Sequence, residues 1–245
     1  MSEPAEKPPG TAWSGLTEQA LFVLVAILVP VCLHAIFRAV PTEEKMGVVQ
    51  RIFYFHVPSA LAGFLGVGLC ALFSALYLWR RDRRLDLLAH ASAELGVMFL
   101  TIVLLTGPIW ARPVWGVWWT GEARLTSTLV LWLLYAGYLI LRQSTENPEQ
   151  GARFCAVIGL VGALDVPIIY YSVEWWRGLH PKVLKISGGQ GLDAEMAKAL
   201  TLCSTTFILL FLLLLLQRVR LGRLQDEVES LTLVANRRAP YTEPA

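Results

Sequence analysis

His56 and His180 are the side chains of this chain best suited to chemistry, and the aromatic residues around and between them indicate of what kind. His56 lies in Arg51-Ile-Phe-Tyr-Phe-His56-Val-Pro58. Pro58 disfavours helical geometry at Val57 and suits a first helical turn, so His56 is expected just before a helix start, beside Phe53, Tyr54 and Phe55. His180 follows Trp175, Trp176 and Arg177 and repeats the theme. Between them, Trp115, Trp118, Trp119 and Glu122 are spaced so that a helix would set three indoles and a carboxylate on one stripe. So many large flat rings between Ile109 and Thr126 exceed what anchoring a membrane helix requires, and imply a flat apolar ligand. A haem held by two imidazoles satisfies the whole set: iron takes axial nitrogens, the macrocycle takes apolar faces, and the propionates take cations. Arg51, Arg112, Arg124, Arg177 and Lys182 are the available cations. For the His56 segment alone, an interfacial histidine that merely caps a helix is the competing reading.

The remaining polar residues of the apolar runs fit other roles. His34 and His90 lie toward opposite sides of the membrane and cannot share one haem, which leaves them local hydrogen bonding and argues against a transmembrane b-type cytochrome. Cys32, Cys70, Cys155 and Cys203 all fall in apolar runs without a Cys-x-x-Cys, so they read as buried small hydrophobes and not as redox or haem-attachment thiols. Glu94 and Asp165 lie within spans, where a carboxylate at the centre costs about 2.5 to 3.5 kcal/mol. Glu94 is near enough to an end to reach water, and Asp165, before Val166-Pro167, offers either helix packing or a proton site.

These residues must be positioned by membrane helices. Of 245 residues, 55% are hydrophobic and 16% charged, with a mean hydropathy of +0.53, too apolar for a soluble chain of this length. A bilayer core takes about 20 helical residues to cross. Six stretches qualify: Leu21 to Val40, Pro58 to Trp79, Ser92 to Trp110, Arg124 to Leu141, Phe154 to Ser172 and Lys198 to Leu216. The expected fold is therefore an all-α bundle of six transmembrane helices, with a short interfacial helix bearing the tryptophans. Arg80, Arg81, Arg83, Arg84, Arg142, Arg153 and the arginines from Arg218 to Arg238 share one side, so both termini are expected in the cytoplasm. His56, the tryptophans and His180 then share the outer face.

Residues 1–20 read as a cytoplasmic disordered tail without the basic region of a signal peptide, and 21–216 as the membrane domain. In 217–245, Leu221, Leu224, Val228, Leu231 and Ala235 recur at helical spacing, which reads as an amphipathic cytoplasmic helix or a solvated extension of the last span. The net charge of +2 is not gathered on one face, so nucleic acid is excluded as a partner.

Three stretches together resemble one family, the haem exporter protein C (CcmC) family of bacterial cytochrome c maturation, within a wider haem-handling group marked by a tryptophan-rich outer-face motif. They are Arg51 to Pro58, Trp115-Gly-Val-Trp-Trp-Thr-Gly-Glu-Ala-Arg-Leu-Thr-Ser127, and Val166-Pro-Ile-Ile-Tyr-Tyr-Ser-Val-Glu-Trp-Trp with His180 beyond it. The resemblance implies a handler, not an enzyme, that holds non-covalent haem b at the outer leaflet of the bacterial inner membrane and loads it onto a periplasmic haem chaperone. It implies as partners a pair of ATP-binding cassette subunits, a small single-span subunit and membrane lipid. By position, His56 and His180 become the axial ligands, Trp115, Trp118 and Trp119 the platform, and Arg51 and Arg124 accompanying functional positions. Where the family pattern ends in Trp-Asp, this chain has Gly121-Glu122, so one indole is lost and the carboxylate stands one methylene farther out. Trp110 or a partner's side chain is expected to fill that gap. The rivals are a transporter of another solute, coupled through Asp165 and Glu94, and a subunit passing electrons from quinone to haem.

Overall fold

The computed structural model describes residues 11–44, 46–178, 180 and 192–238. Helix α1 (Thr11–His34) runs into a π-helical turn (Ala35–Ala39), and a 3-10 turn (Val48–Ile52) leads into α2 (Phe53–Arg80). Then come α3 (Arg83–Trp115), α4 (Ala123–Ser144), α5 (Pro148–Ala163), α6 (Asp165–Trp175) and α7 (Ala194–Arg238). Six segments are long and apolar enough to cross a membrane: Gly15–Ala39, Val48–Arg80, Arg83–Trp115, Ala123–Ser144, Pro148–Trp175 and Ala194–Asn236. Five contain an expected stretch whole and the first contains all of Leu21 to Val40 except Val40 itself, and among the described residues no strand forms beyond an isolated Glu43–Gly47 bridge. The chain is an all-α, six-span membrane protein.

Local sequence sets the element ends. Arg81 takes the left-handed conformation (φ 57°) that closes α2, and Asp82 then accepts from the Arg84 backbone N–H to open α3, so two residues reverse the chain. Asn147 caps α5 by accepting from the backbone of Glu149 and Gln150, with Pro148 at the first helical position. The fifth span breaks at Leu164, because Pro167 has no N–H to return to the Ala163 carbonyl. Asp165 sits at that break, with Oδ2 buried and unpartnered among the described residues.

Packing centres on α2 and α3. A side chain on Gly66 would stand 2.8 Å from the Gly96 backbone, and one on Gly63 3.1 Å from Leu100, so the two backbones touch through small residues. Val67, Cys70, Leu100, Leu131, Tyr135, Tyr138 and Cys155 fill the core beside this contact. Tyr135 donates to the Gly159 carbonyl at 2.9 Å and joins α4 to α5. All four cysteines are buried and none is in a disulfide.

The charges inside the spans are paired near the start of α3. Asp86, almost wholly buried, accepts from Arg142 and Arg83, and Arg83 reaches Asp226 on α7 at 2.9 Å. Glu94 holds Arg218 through both carboxylate oxygens, and His90 stands 3.4 Å from Glu94 while stacking on Tyr138. His34 is exposed at the end of α1, remote in sequence and role from this cluster.

Two expectations are corrected. Helix α2 begins at Phe53, so His56 lies inside its first turns and Pro58 within the helix, because the 3-10 turn already supplies the first helical carbonyls. The residues from 117 to 122 are not helical, so no interfacial helix carries the tryptophans. The final stretch continues α7 to Arg238 without a break, with Gly222 and Asp226 toward the bundle and Leu221, Leu224, Val228 and Leu231 exposed.

Two measurements check this packing. Gly66→Ala forces a methyl into the Gly96 backbone and is expected to cost about 1–3 kcal/mol. Gly68→Ala, which meets open space on the same helix, serves as control and leaves the thermal midpoint of detergent-purified protein unchanged or slightly raised. Arg142→Leu leaves the buried Asp86 carboxylate to Arg83 alone and is expected to cost about 1–3 kcal/mol, most of it recovered in Asp86→Leu/Arg142→Leu. Equal midpoints for the single and double variants would show that the pair is not coupled.

Candidate functional site

His56 and His180 line one cavity of about 830 Å³, at the end of the bundle where α3 finishes and α4 begins. That volume lies within the roughly 300–1,000 Å³ typical of small-molecule and cofactor sites. Its walls are mostly apolar: Phe64, Val103, Leu104 and Pro108 from the helices, and Trp110, Trp115 and Trp119 from the end of α3 and the turn beyond it. Among the described residues, Arg124 is its cation.

Each imidazole is held by its Nδ1. His56 Nδ1 lies 2.9 Å from Thr106 Oγ1 on α3. Thr106 itself back-bonds to the Ile102 carbonyl at 2.7 Å, as threonines in helices do. With the hydroxyl hydrogen on that carbonyl, the Thr106 oxygen accepts from His56 Nδ1–H and leaves Nε2 as the lone-pair nitrogen. His180 Nδ1 lies 2.6 Å from Glu122 Oε1, and a carboxylate can only accept, so here too Nε2 carries the lone pair. A metal-binding histidine has this arrangement, with the far ring nitrogen anchored to a hydroxyl or carboxylate.

The local backbone explains how the loop residues arrive. Trp115 is the last residue of α3, and Gly116 (φ 79°) closes the helix in the left-handed region. Gly121 (φ 70°) makes a second left-handed turn before Glu122, which stands in the extended conformation at the start of α4. The irregular path sends successive indoles different ways. Trp115 packs edge-on against Trp110, centroids 4.9 Å apart, and against the His180 ring at 5.7 Å. Trp119 lines the cavity, whereas Trp118, 60% exposed, does not. The indole surface is thus Trp110, Trp115 and Trp119, in place of a helical stripe of Trp115, Trp118 and Trp119.

The expected cations divide likewise. Arg124 donates to the carbonyls of Ile169 and Tyr170 at 3.3 and 3.0 Å, tying α4 to α6 while facing the cavity. Arg51 lies over the Phe37 ring at 5.6 Å, and Arg112 is exposed and bonds the Gly116 carbonyl; neither lines the cavity. Arg177 is exposed as well, and Lys182 lies outside the described residues.

Sequence reasoning did not find Thr106, nor the pairing of Glu122 with His180. A threonine inside a span gives no signal beyond its own helix, and Glu122 was legible only as a member of a stripe. Tyr170, Glu174, Gln50 and Met196 also face the cavity.

With this geometry in place, comparison with known proteins is specific. Residues 4–234 match the family model for heme exporter protein C. Heme exporter protein C of Bradyrhizobium diazoefficiens is 34% identical over 95% of this chain and 89% of its own length. That of Paracoccus denitrificans is 39% identical over 74% of this chain and 76% of its own, and that of Escherichia coli 34% over 84% and 79%. The chain belongs to the heme exporter protein C (CcmC) family.

Proposed function

We propose that this chain holds haem b, without a covalent bond, between His56 and His180 at the outer face of the bacterial inner membrane, and delivers it to a periplasmic haem chaperone during c-type cytochrome biogenesis. The observation that carries this reading is the meeting of two anchored imidazoles, one from the start of α2 and one from beyond α6, on a single indole-lined cavity. Haem supplies an iron with two axial positions, a flat apolar macrocycle and two anionic propionates.

His56 and His180 take the iron through Nε2. Trp110, Trp115 and Trp119, with Phe64, Val103 and Leu104, cover the macrocycle. Arg124 uses Nε and one terminal nitrogen on backbone carbonyls, and a guanidinium has five N–H donors, so it retains donors for a propionate. Trp118, exposed beside the cavity, is left for the acceptor. The arginine-rich end of the bundle lies in the cytoplasm with both termini, and the ATP-binding cassette pair and the single-span subunit complete the assembly. The chain itself performs no covalent step.

A solute transporter would need a free carboxylate within the spans. Glu94 is occupied by Arg218, which leaves Asp165 as the only carboxylate of the two that the transporter reading named. The test separates the readings. Protein expressed with abundant haem and purified in detergent is expected to show a low-spin bis-imidazole absorption spectrum. His56→Ala and His180→Ala each abolish it, and Asp165→Asn preserves it. A wild-type protein without a Soret band, or one whose spectrum survives both alanine substitutions, overturns the proposal.

A further inference from the structure

We infer that Thr106 and Glu122 make the two imidazoles unequal ligands: Glu122 fixes His180 as the strong, retained donor, and Thr106 leaves His56 as the weaker one, released first. The inference rests on the haem-holding reading and concerns residues that touch the histidines, not the cargo.

The two anchors differ in kind. The Glu122 carboxylate stands 2.6 Å from His180 Nδ1, with both side chains largely shielded from water. A carboxylate accepts only, so it draws the Nδ1 proton toward itself and raises the electron density at Nε2. Thr106 is neutral and amphoteric. It stands 2.9 Å from His56 Nδ1 and accepts that proton only through a neutral hydroxyl oxygen, whose own hydrogen is held by the Ile102 carbonyl at 2.7 Å. Such an anchor orients the ring without enriching it.

Packing sharpens the contrast. Trp115 and Trp110 stand against the His180 ring, at 5.7 and 6.3 Å between centroids. The His56 ring faces Gly107, where even an added methyl would only come within 3.5 Å. One ring is clamped by a charge and two indoles, the other by a hydroxyl beside a glycine.

The chain is fitted to its own carboxylate. A side chain on Gly178 would stand 2.8 Å from Glu122 Oε2, so the absence of one leaves the room that the longer glutamate occupies. Gly178 has no left-handed requirement, and Gly178→Ala therefore displaces the carboxylate without straining the backbone.

The test uses full-length protein in detergent, loaded with iron protoporphyrin IX, with three readouts: the reduction potential, the rate at which carbon monoxide replaces an axial ligand in the ferrous form, and the rate of haem loss to an apo-acceptor. Glu122→Gln and Gly178→Ala are expected to raise the potential and to speed haem loss to an apo-acceptor by about 10–100-fold, the usual range for a lost anchor of a metal-binding histidine. Thr106→Val is expected to speed carbon monoxide entry by about tenfold with the potential little changed. Thr106→Ser restores the wild-type rate. The inference is overturned if Glu122→Gln speeds carbon monoxide entry and Thr106→Val does not, or if Glu122→Gln, Gly178→Ala and Thr106→Val all match wild type in every readout while His56→Ala and His180→Ala still lose the low-spin spectrum. If those two alanine variants keep the spectrum, the haem-holding reading fails first, and this inference with it.

Discussion

The contact of the α2 and α3 backbones fixes everything at the cavity. Gly66 meets Gly96 so closely that a side chain on Gly66 would stand 2.8 Å from the facing backbone. The helices are antiparallel, so ten residues back along α2 and ten residues on along α3 the same register sets His56 against Thr106. A slip of one residue would turn that threonine roughly 100° around its helix and leave the imidazole without its anchor. Glycine packing thus does work that no polar bond in the span could do alone, since it determines depth and rotation together. The threonine then needs only the right place, because its own helix satisfies its hydroxyl.

The opposite end of α3 is organised by charge. The helix has 33 residues and so runs about 50 Å, which puts Asp86 and Glu94 far from Trp110 and Trp115. There Arg83, Arg142 and Arg218 neutralise the two carboxylates and join α3 to α4 and α7. At the cavity end the joints are different: neutral contacts between α2 and α3, two bonds from Arg124 to α6, and one carboxylate–imidazole bond reaching past α6. A molecule that must take up and give up a cargo gains from this division. Charge pairs, costly to separate in a low dielectric, hold the bundle, and the site is closed by bonds few enough to be exchanged.

Much of this could be read from residue types. Six apolar runs marked six helices, and two histidines flanked by aromatic residues marked the cavity, because hydropathy and side-chain chemistry are local properties. What could not be read depended on contacts between distant residues or on backbone conformation. Glu122 and His180 are separated by 58 residues, and nothing in either segment announces the other. Thr106 belongs to an unremarkable apolar run and matters only through the helix packed on it. The fifth span looked continuous by hydropathy, although Pro167 divides it into α5 and α6. The start of α2 was displaced toward Pro58 because a proline signals a first turn, while the preceding 3-10 turn had already begun the helix.

The tryptophan segment illustrates why spacing alone misleads. Three indoles and a carboxylate spaced three, one and three would form a continuous face if the segment were helical. Yet Gly116 and Gly121 both occupy the left-handed region, which a helix excludes, and both positions are glycines for which that geometry is cheap. A helical stripe would have turned all three rings toward one ligand. The looped path instead gives Trp115 and Trp119 to the cavity and leaves Trp118 facing outward, with Trp110 supplying the third ring from the preceding turn of α3. The same two glycines also turn the chain so that Glu122 arrives beside His180 at the start of α4. One short loop therefore sets the apolar wall, the exposed ring and the anchor of the second imidazole, and Gly121, the residue that costs the motif an indole, is the one whose conformation brings the carboxylate into place.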